Sequence, residues 1–258
     1  MVNDGKASFT GSADVCDYMD FAIAPSKERA FFTAILDKLK KDRIKELYLE
    51  SLRQDSTVMT CLTDLAKDEG HNVTVTKQNV SLDLDLPSTW DDYLRTLSPK
   101  QRRETGRRFR RLDEEGDVNY CIVEDAEPGV LDIFFKLMRV SRKDKAAFLT
   151  PEMESFFRAI AQTMAEARML RFGVLEISKK PVAAVMCFDY NQKVYLYNSG
   201  YNPEYGYISV GLLSKLLSIK DSIERGKKVY DFLKGPEEYK YRLGGREIPI
   251  YSCRIILT

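Results

Sequence analysis

One histidine in 258 residues leaves little room for chemistry that depends on imidazole. His71 stands in "KDEGHNVTV", a turn entering a strand, with no cysteine or carboxylate cluster at ligand spacing around it. A zinc hydrolase site and a Ser-His-Asp triad therefore find no support, and a hydrogen-bonded turn histidine is the expectation. Cysteine is scarce too: Cys16, Cys61, Cys121, Cys187 and Cys253 are odd in number, far apart and set mostly in apolar segments. That pattern suits reduced thiols acting as small hydrophobes and excludes a disulfide framework or a CxxC metal site, so no metal is expected. Net charge nearly vanishes, with 40 basic residues against 39 acidic ones, so any polyanion binding must come from local clustering. Long apolar runs are missing, and no transmembrane segment is expected. The opening "MVNDGKASFTGSADV" has neither the apolar stretch of a signal peptide nor the Arg-rich character of a transit peptide, so the expected location is cytoplasmic.

What is present is an apolar fraction of 44%, enough for one large domain or two smaller ones. Strand and helix periodicities alternate along the chain. "MDFAIA" reads as a strand, "SKERAFFTAILDKLKKD" as an amphipathic helix and "KELYLESL" as a strand. "DSTVMTCLTDLAKDEG" then predicts a capped helix closed at Gly70, and "HNVTVTKQNVSLDLDL" a strand pair. Further on, "DVNYCIVED" predicts a strand, "GVLDIFFKLMRVSRK" and "TPEMESFFRAIAQTMAEA" two helices, and "RMLRFGVLEISKKPVAAVMCFDYNQKVYLYNSGY" three strands turning at "SKKP" and "YNQK". A helix "SVGLLSKLLSIKDSIERG", capped by Ser209 and closed by Gly226, precedes a strand "KKVYDFLKG", a short helix "PEEYKYRL" and a last strand "REIPIYSCRIIL". The class is α/β, with some α+β mixing.

The single dense basic cluster is "SPKQRRETGRRFRRLDEEG" at 98–116. Ser98 is a good N-cap, Pro99 suits the first helical position, and Gln101 completes a capping box, so a helix starts there. At about 100° per residue, Thr105, Phe109 and Leu112 form a narrow apolar stripe. Lys100, Arg103, Arg107, Arg108, Arg110 and Arg111 cover the opposite half, with Arg102 alone beside the apolar edge. Such a face is either a solvated surface that neutralises Asp113 to Glu115 or a contact for a phosphate-bearing donor or acceptor. No DNA-binding module accompanies it, so no DNA partner is expected.

The second half carries a linked set of motifs: a strand pair around "PVAA", then a Y-x-S-G-Y-x-P segment from Tyr197 to Pro203. A helix start rich in small residues follows, and then a DF-x-x-G-x-E-x-YK-x-x-x-G block from Asp231 to Gly244. Over about 91–258 the sequence thereby resembles the CelD-like and FemAB-like branch of the GNAT acyltransferase superfamily, which includes BioF-like acetyltransferase domains. The resemblance implies a GNAT-like mixed sheet flanked by helices over 117–258 and a helical linker with a basic face over 91–116. It also implies a partial second GNAT-like lobe over 1–90, without that lobe's usual opening strands. The phosphate loop common in GNAT enzymes, R/Q-x-x-G-x-G/A, corresponds here to "YGYISVGLLSK", which keeps only Gly206 and Gly211. Free N–H groups at Ser209, Val210 and Gly211 and the positive end of the helix still favour a pyrophosphate there.

The activity implied is N-acyl transfer, most simply acetyl transfer, from acyl-CoA as co-substrate to an amine of a small molecule, amino sugar or amino-acid-like acceptor. Direct attack needs a proton acceptor and donors for the oxyanion, and it needs no covalent enzyme intermediate. Asp231 ends a strand, and Glu237, Tyr239 and Lys240 follow it at the carboxyl edge of the sheet, where sites are built in open α/β folds. Glu237 or Asp231 is the candidate base or orienting group, and Lys240 the candidate to bind a donor phosphate or polarise the carbonyl. Tyr197 or Tyr201 would protonate the leaving group, while Tyr239 and Lys145 would touch substrate. The ordinary alternatives are that Asp231 caps the next turn and pairs with Lys240, and that the tyrosines pack in the core. Two other functions stay open: aminoacyl transfer from a charged tRNA contacted through Arg107, Arg108, Arg110 and Arg111, and a noncatalytic GNAT-like binding module.

Overall fold

The computed structural model describes residues 1–11 and 15–258. In chain order its elements are β1 (Val2–Asn3), β2 (Lys6–Ser8), α1 (Glu28–Lys41), β3 (Glu46–Arg53), a π-helical turn (Val58–Leu62), α2 (Thr63–Asp68) and β4 (Asn72–Asp85). There follow α3 (Trp90–Thr96), α4 (Pro99–Asp113), β5 (Val118–Val123), α5 (Pro128–Ser141), α6 (Lys143–Phe148) and α7 (Pro151–Glu166). The remainder is β6 (Leu170–Ile177), β7 (Lys180–Tyr190), β8 (Lys193–Tyr201), a 3-10 segment (Pro203–Ile208), α8 (Val210–Glu224), β9 (Val229–Lys234), α9 (Glu238–Arg242) and β10 (Arg246–Ile256). The chain divides into two compact units: residues 1–82, 234–236 and 247–258 form the first, and 83–233 with 237–246 the second.

In the first unit the strands run in the order β1-β2-β3-β10-β4, so the last strand of the sequence pairs antiparallel with β3. Its core gathers Phe32 and Leu36 of α1, Leu47 and Leu49 of β3, Val58 and Leu62 of the π-helical turn, and Cys253 and Ile255 of β10. Two expectations need correction here. Residues 19–24, expected as a strand, join no ladder: the Met19 N–H reaches the Ser51 carbonyl at 2.9 Å, and Phe21 and Ile23 pack on the core. Residues 71–86, expected as a strand pair, give one long strand, because none between 72 and 85 takes the positive φ of a tight hairpin turn. His71 is buried as a turn histidine, its Nδ1 3.0 Å from the Thr258 hydroxyl.

In the second unit the order is β9-β8-β7-β6-β5, antiparallel except for the parallel pair of β8 and β9. Strand alternation sends side chains to two helical layers. Phe172, Ala184 and Met186 meet Phe134, Met138 and Phe157 of α5 and α7. Leu175, Ile177 and Ala183 meet Leu112 of α4 and Val210 and Leu213 of α8 on the other face. The hairpin turns fall where the sequence puts them: Ser178 and Lys179, then Asn191 and Gln192, all take positive φ, as two-residue turns of the primed type require.

The arginine helix forms as expected. Ser98 accepts from the Gln101 N–H at 3.3 Å, and Gln101 returns the bond to the Ser98 N–H at 2.9 Å. Thr105 and Leu112 are buried, and Phe109 meets Trp90 edge-on. The arginine of the helix that is partly buried is Arg108, paired with Glu104 at 3.4 Å, whereas Arg102, expected beside the apolar edge, is exposed. All five cysteines are free thiols.

Candidate active site

The site begins with a fault in β8. Met186 of β7 faces Asn198 and Cys187 faces Leu196, so Tyr197 is an extra residue in β8, a β-bulge. The bulge exchanges the faces of everything beyond it. Tyr197 stays on the α7 side, its ring 5.6 Å from Phe157 and 4.8 Å from Phe188, while Ser199 and Tyr201 turn towards α8. Tyr197 is therefore a packing residue, although four residues of regular strand would have put it on one face with Tyr201.

Just before the bulge, β8 and β9 cease to pair. Their register ends at Tyr195 opposite Asp231, although β8 runs on to Tyr201 and β9 to Lys234. A cleft of about 440 Å³ is lined by Ser199 and Tyr201 in the unpaired end of β8, Ser209 to Gly211 at the start of α8, Lys145, Lys215, and Glu237 and Tyr239 from the segment that follows β9. Of the residues the sequence nominates, Lys145, Tyr201, Ser209, Val210, Gly211, Glu237 and Tyr239 come together there.

Asp231 and Lys240 stand behind the cleft. Asp231 is fully buried and accepts from the Leu233 N–H at 2.8 Å. Lys240 is 1% exposed; its ammonium donates to the Leu233 carbonyl at 3.0 Å and meets the Glu237 carboxylate at 2.8 Å. Together they grip Leu233, which holds a left-handed φ of 62° that a leucine adopts at a cost of about 1–2 kcal/mol. In sequence terms, the aspartate, lysine and glutamate of the DF-x-x-G-x-E-x-YK block fix the turn out of β9, and only the glutamate reaches the cleft.

At the opposite wall, Ser209 does not cap α8 with its side chain, as the sequence leads one to expect. It adopts a left-handed φ of 63°, and its carbonyl accepts from the N–H groups of Leu212 and Leu213 at 2.9 and 3.0 Å. The N–H groups of Val210 and Gly211, in the first turn of the helix, have no carbonyl ahead of them within it. Gly211 is required by packing: a Cβ there would stand 2.8 Å from the Tyr201 ring.

Two amines give the cleft its electrostatic character. Lys145 donates to the Asn198 amide oxygen at 2.9 Å and to the Ser199 carbonyl, on the strand edge that has parted from β9. Burial, with Arg142 nearby, pulls its pKa down to about 8. Lys215, 7% exposed, folds back along α8 to donate to the Gly211 carbonyl at 2.8 Å, and its nitrogen lies 5.0 Å from the centre of the Tyr239 ring. Burial and then Lys145 bring it down to about 7. Burial also pushes the Tyr239 phenol well above its usual range. Lys215 is not among the residues that the sequence motifs nominate. Its signal is "GLLSKLLSI", where Lys215 shares a helical stripe with the buried Ser218, Ile219 and Ser222.

Among the described residues no cluster of histidine, cysteine and carboxylate ligands is placed to hold a metal, and no helix is long and apolar enough to cross a membrane. Residues 99–241, more than half of the chain, match the family described as acetyltransferase (GNAT) domain. No curated protein matches the sequence. The fold is similar to that of FemX, at 12% identity and a TM-score of 0.63, over 90% of this chain and 78% of that one. It is similar as well to a conserved protein of unknown function from Bacteroides thetaiotaomicron, at 13% identity and a TM-score of 0.62, over 88% and 75% of the two chains. A DUF2156 C-terminal domain from Agrobacterium fabrum aligns at 10% identity and a TM-score of 0.56, over 88% and 72%. The chain belongs to the GNAT acetyltransferase family, as a GNAT-type acyltransferase with the fold of the FemAB-like branch.

Proposed function

We propose that the protein transfers an acyl group, acetyl in the simplest case, from acyl-CoA to the amine of a small molecule, amino sugar or amino-acid-like acceptor by direct attack. The observation that carries this reading is the cleft that the unpaired end of β8 shares with the first turn of α8 and with Glu237 and Tyr239. The first-turn N–H groups and positive end of that helix suit a pyrophosphate, with Arg142 and Lys145 as cations lining the same cleft. Donor and acceptor would meet beside Tyr201, Tyr239 and Glu237. Glu237 orients the acceptor amine, Tyr201 supplies a proton to the departing sulfur, and Asp231 and Lys240 hold Glu237 and the β9 turn in place. Isothermal titration with CoA and acetyl-CoA is the test. Micromolar binding that weakens at least tenfold in Gly211→Asp supports the reading, and no heat with any acyl-CoA sinks it.

One observation favours a second donor. Lys100, Arg103, Arg107 and Arg110 are exposed on α4 and make no ion pair among the described residues, whereas Arg108 is held by Glu104 and Arg111 bonds the Tyr207 carbonyl at 3.4 Å. An aminoacyl-tRNA donor would use that face, and its binding would weaken steeply with salt. RNA affinity unchanged in Arg107→Ser/Arg110→Ser excludes it.

A further inference from the structure

Lys215 is a lysine where a lysine is costly. It lies on the buried stripe of α8, and its nitrogen bonds one neutral acceptor, the Gly211 carbonyl, at 2.8 Å. No carboxylate comes within 4.0 Å of it among the described residues. An unpaired ammonium so enclosed loses its hydration without a counter-charge, and the first turn of α8, where Gly211 sits, adds the positive end of a helix. The surroundings do not repair this. From the α5–α6 junction and α6, Arg142 and Lys145 face the cleft, Arg142 with Asp144 at its own guanidinium. From β8 comes Tyr201, and from β7 the buried Cys187. From α9 comes Tyr239, whose ring lies under the nitrogen, and from the residue just before α9 comes Glu237, whose carboxylate is engaged by Lys240 at 2.8 Å. Glu237, Cys187 and the face of the Tyr239 ring favour the ammonium, and burial, followed by the nearby Lys145, outweighs them.

We propose that Lys215 is the proton acceptor of the transfer reaction, an inference that rests on the acyltransferase reading above. A neutral lysine donates one N–H to Gly211 and keeps a lone pair for the cleft. In the reaction, the acceptor nitrogen forms a C–N bond to the acyl carbon while the carbonyl π pair moves onto oxygen, and one proton passes from that nitrogen to Lys215. The oxyanion then collapses, the C–S bond breaks with its electron pair on sulfur, and the proton held by Lys215 returns to the sulfur through the cleft's Tyr201. The products are the amide and the free thiol, with Lys215 neutral again. Its neutral-range pKa of about 7 fits this task, since a general base works best when poised near the operating pH. Glu237, already occupied by Lys240, keeps the orienting role.

The experiment has two arms. The first needs no substrate: the Lys215 side-chain nitrogen is titrated by NMR in protein labelled with 15N-lysine, its signal assigned by loss in Lys215→Met. A midpoint between pH 6.5 and 8 is expected, and an ammonium that persists above pH 9 overturns the proposal whatever the donor is. The second arm follows thiol release from acetyl-CoA with a panel of amino acids and amino sugars. Lys215→Met, which fills the same space, and Lys215→Arg, which is always charged, should both lose at least a hundredfold in kcat and lose the limb of the pH profile near 7. Partial recovery with added methylamine is expected in Lys215→Ala. If Lys215→Met keeps kcat within threefold, or only raises KM for acetyl-CoA, Lys215 is at most a donor contact and the proposal falls. If the wild-type protein transfers from no thioester, the acyl-CoA reading fails by itself, and the NMR arm still decides the charge state of Lys215.

Discussion

Leu233 shows how much of this site is built to hold a backbone. Its left-handed conformation persists because the Asp231 carboxylate takes its N–H and the Lys240 ammonium takes its carbonyl, both in the dry interior. Replacing Asp231 by alanine leaves a buried donor without that acceptor and is expected to lower stability by about 1–3 kcal/mol, read from urea unfolding at constant m-value. An unchanged midpoint would show that another acceptor replaces it. The sequence makes this block conspicuous without revealing its division of labour, since acid, lysine and tyrosine within ten residues read equally well as catalysis or as capping. Lys215 was harder to see. Lysine on a helix normally marks the solvent face, and only the projection that puts it with Ser218, Ile219 and Ser222 says otherwise.

At the scale of elements, the sheet of the second unit was legible because short polar breaks, Ser178–Lys179 and Asn191–Gln192, separate its apolar strand runs, although of these four positive-φ residues only Asn191 is a type that favours such a turn. The bulge was not legible, because one extra residue in β8 leaves no mark in composition, yet it separates Tyr197 from Tyr201 and so decides which tyrosine belongs to the cleft. The expected strand at 19–24 failed for a related reason. Alternating apolar residues establish burial, and a ladder requires a partner strand as well. Beyond the bulge, β8 runs so near α5 that a Cβ at Gly200 would fall on the backbone of Leu137 and Met138. Neither element can give way as a flexible side chain would. Gly200→Ala is therefore expected to cost about 3 kcal/mol, at the upper end for overpacking, and to lower Tm by several degrees in calorimetry. A variant as stable as the parent would mean that α5 can slide.

For the molecule as a whole, the buried amines predict how stability follows pH. Lys215 falls from 10.5 to about 7 on folding and Lys145 from 10.5 to about 8. Between those limits the unfolded chain holds more protons than the folded one, so stability rises with pH. Below about 7 both states carry the charge and the penalty is present in full. Lys215 alone contributes a slope of at most about 1.4 kcal/mol per pH unit. Tm should climb from pH 7 to pH 9, and climb less in Lys215→Met; parallel curves for the two proteins would refute the assignment. The α/β class and the GNAT motifs of the second unit were readable from periodicity and local pattern. The membership of the first unit was not, since no local signal says that residues 247–258 belong with residues 1–82.

That last pairing bears on how the protein is made. During synthesis, α1, β3 and α2 emerge early, but the antiparallel partner of β3 is encoded some two hundred residues later, in β10. Until it arrives, the first unit offers an open strand edge and an unfinished core to its neighbours, the condition under which nascent chains associate wrongly or are held by chaperones. The second unit, by contrast, is nearly continuous in sequence and has no such wait. The half that carries the cleft can thus be in shape before the half that precedes it on the ribosome.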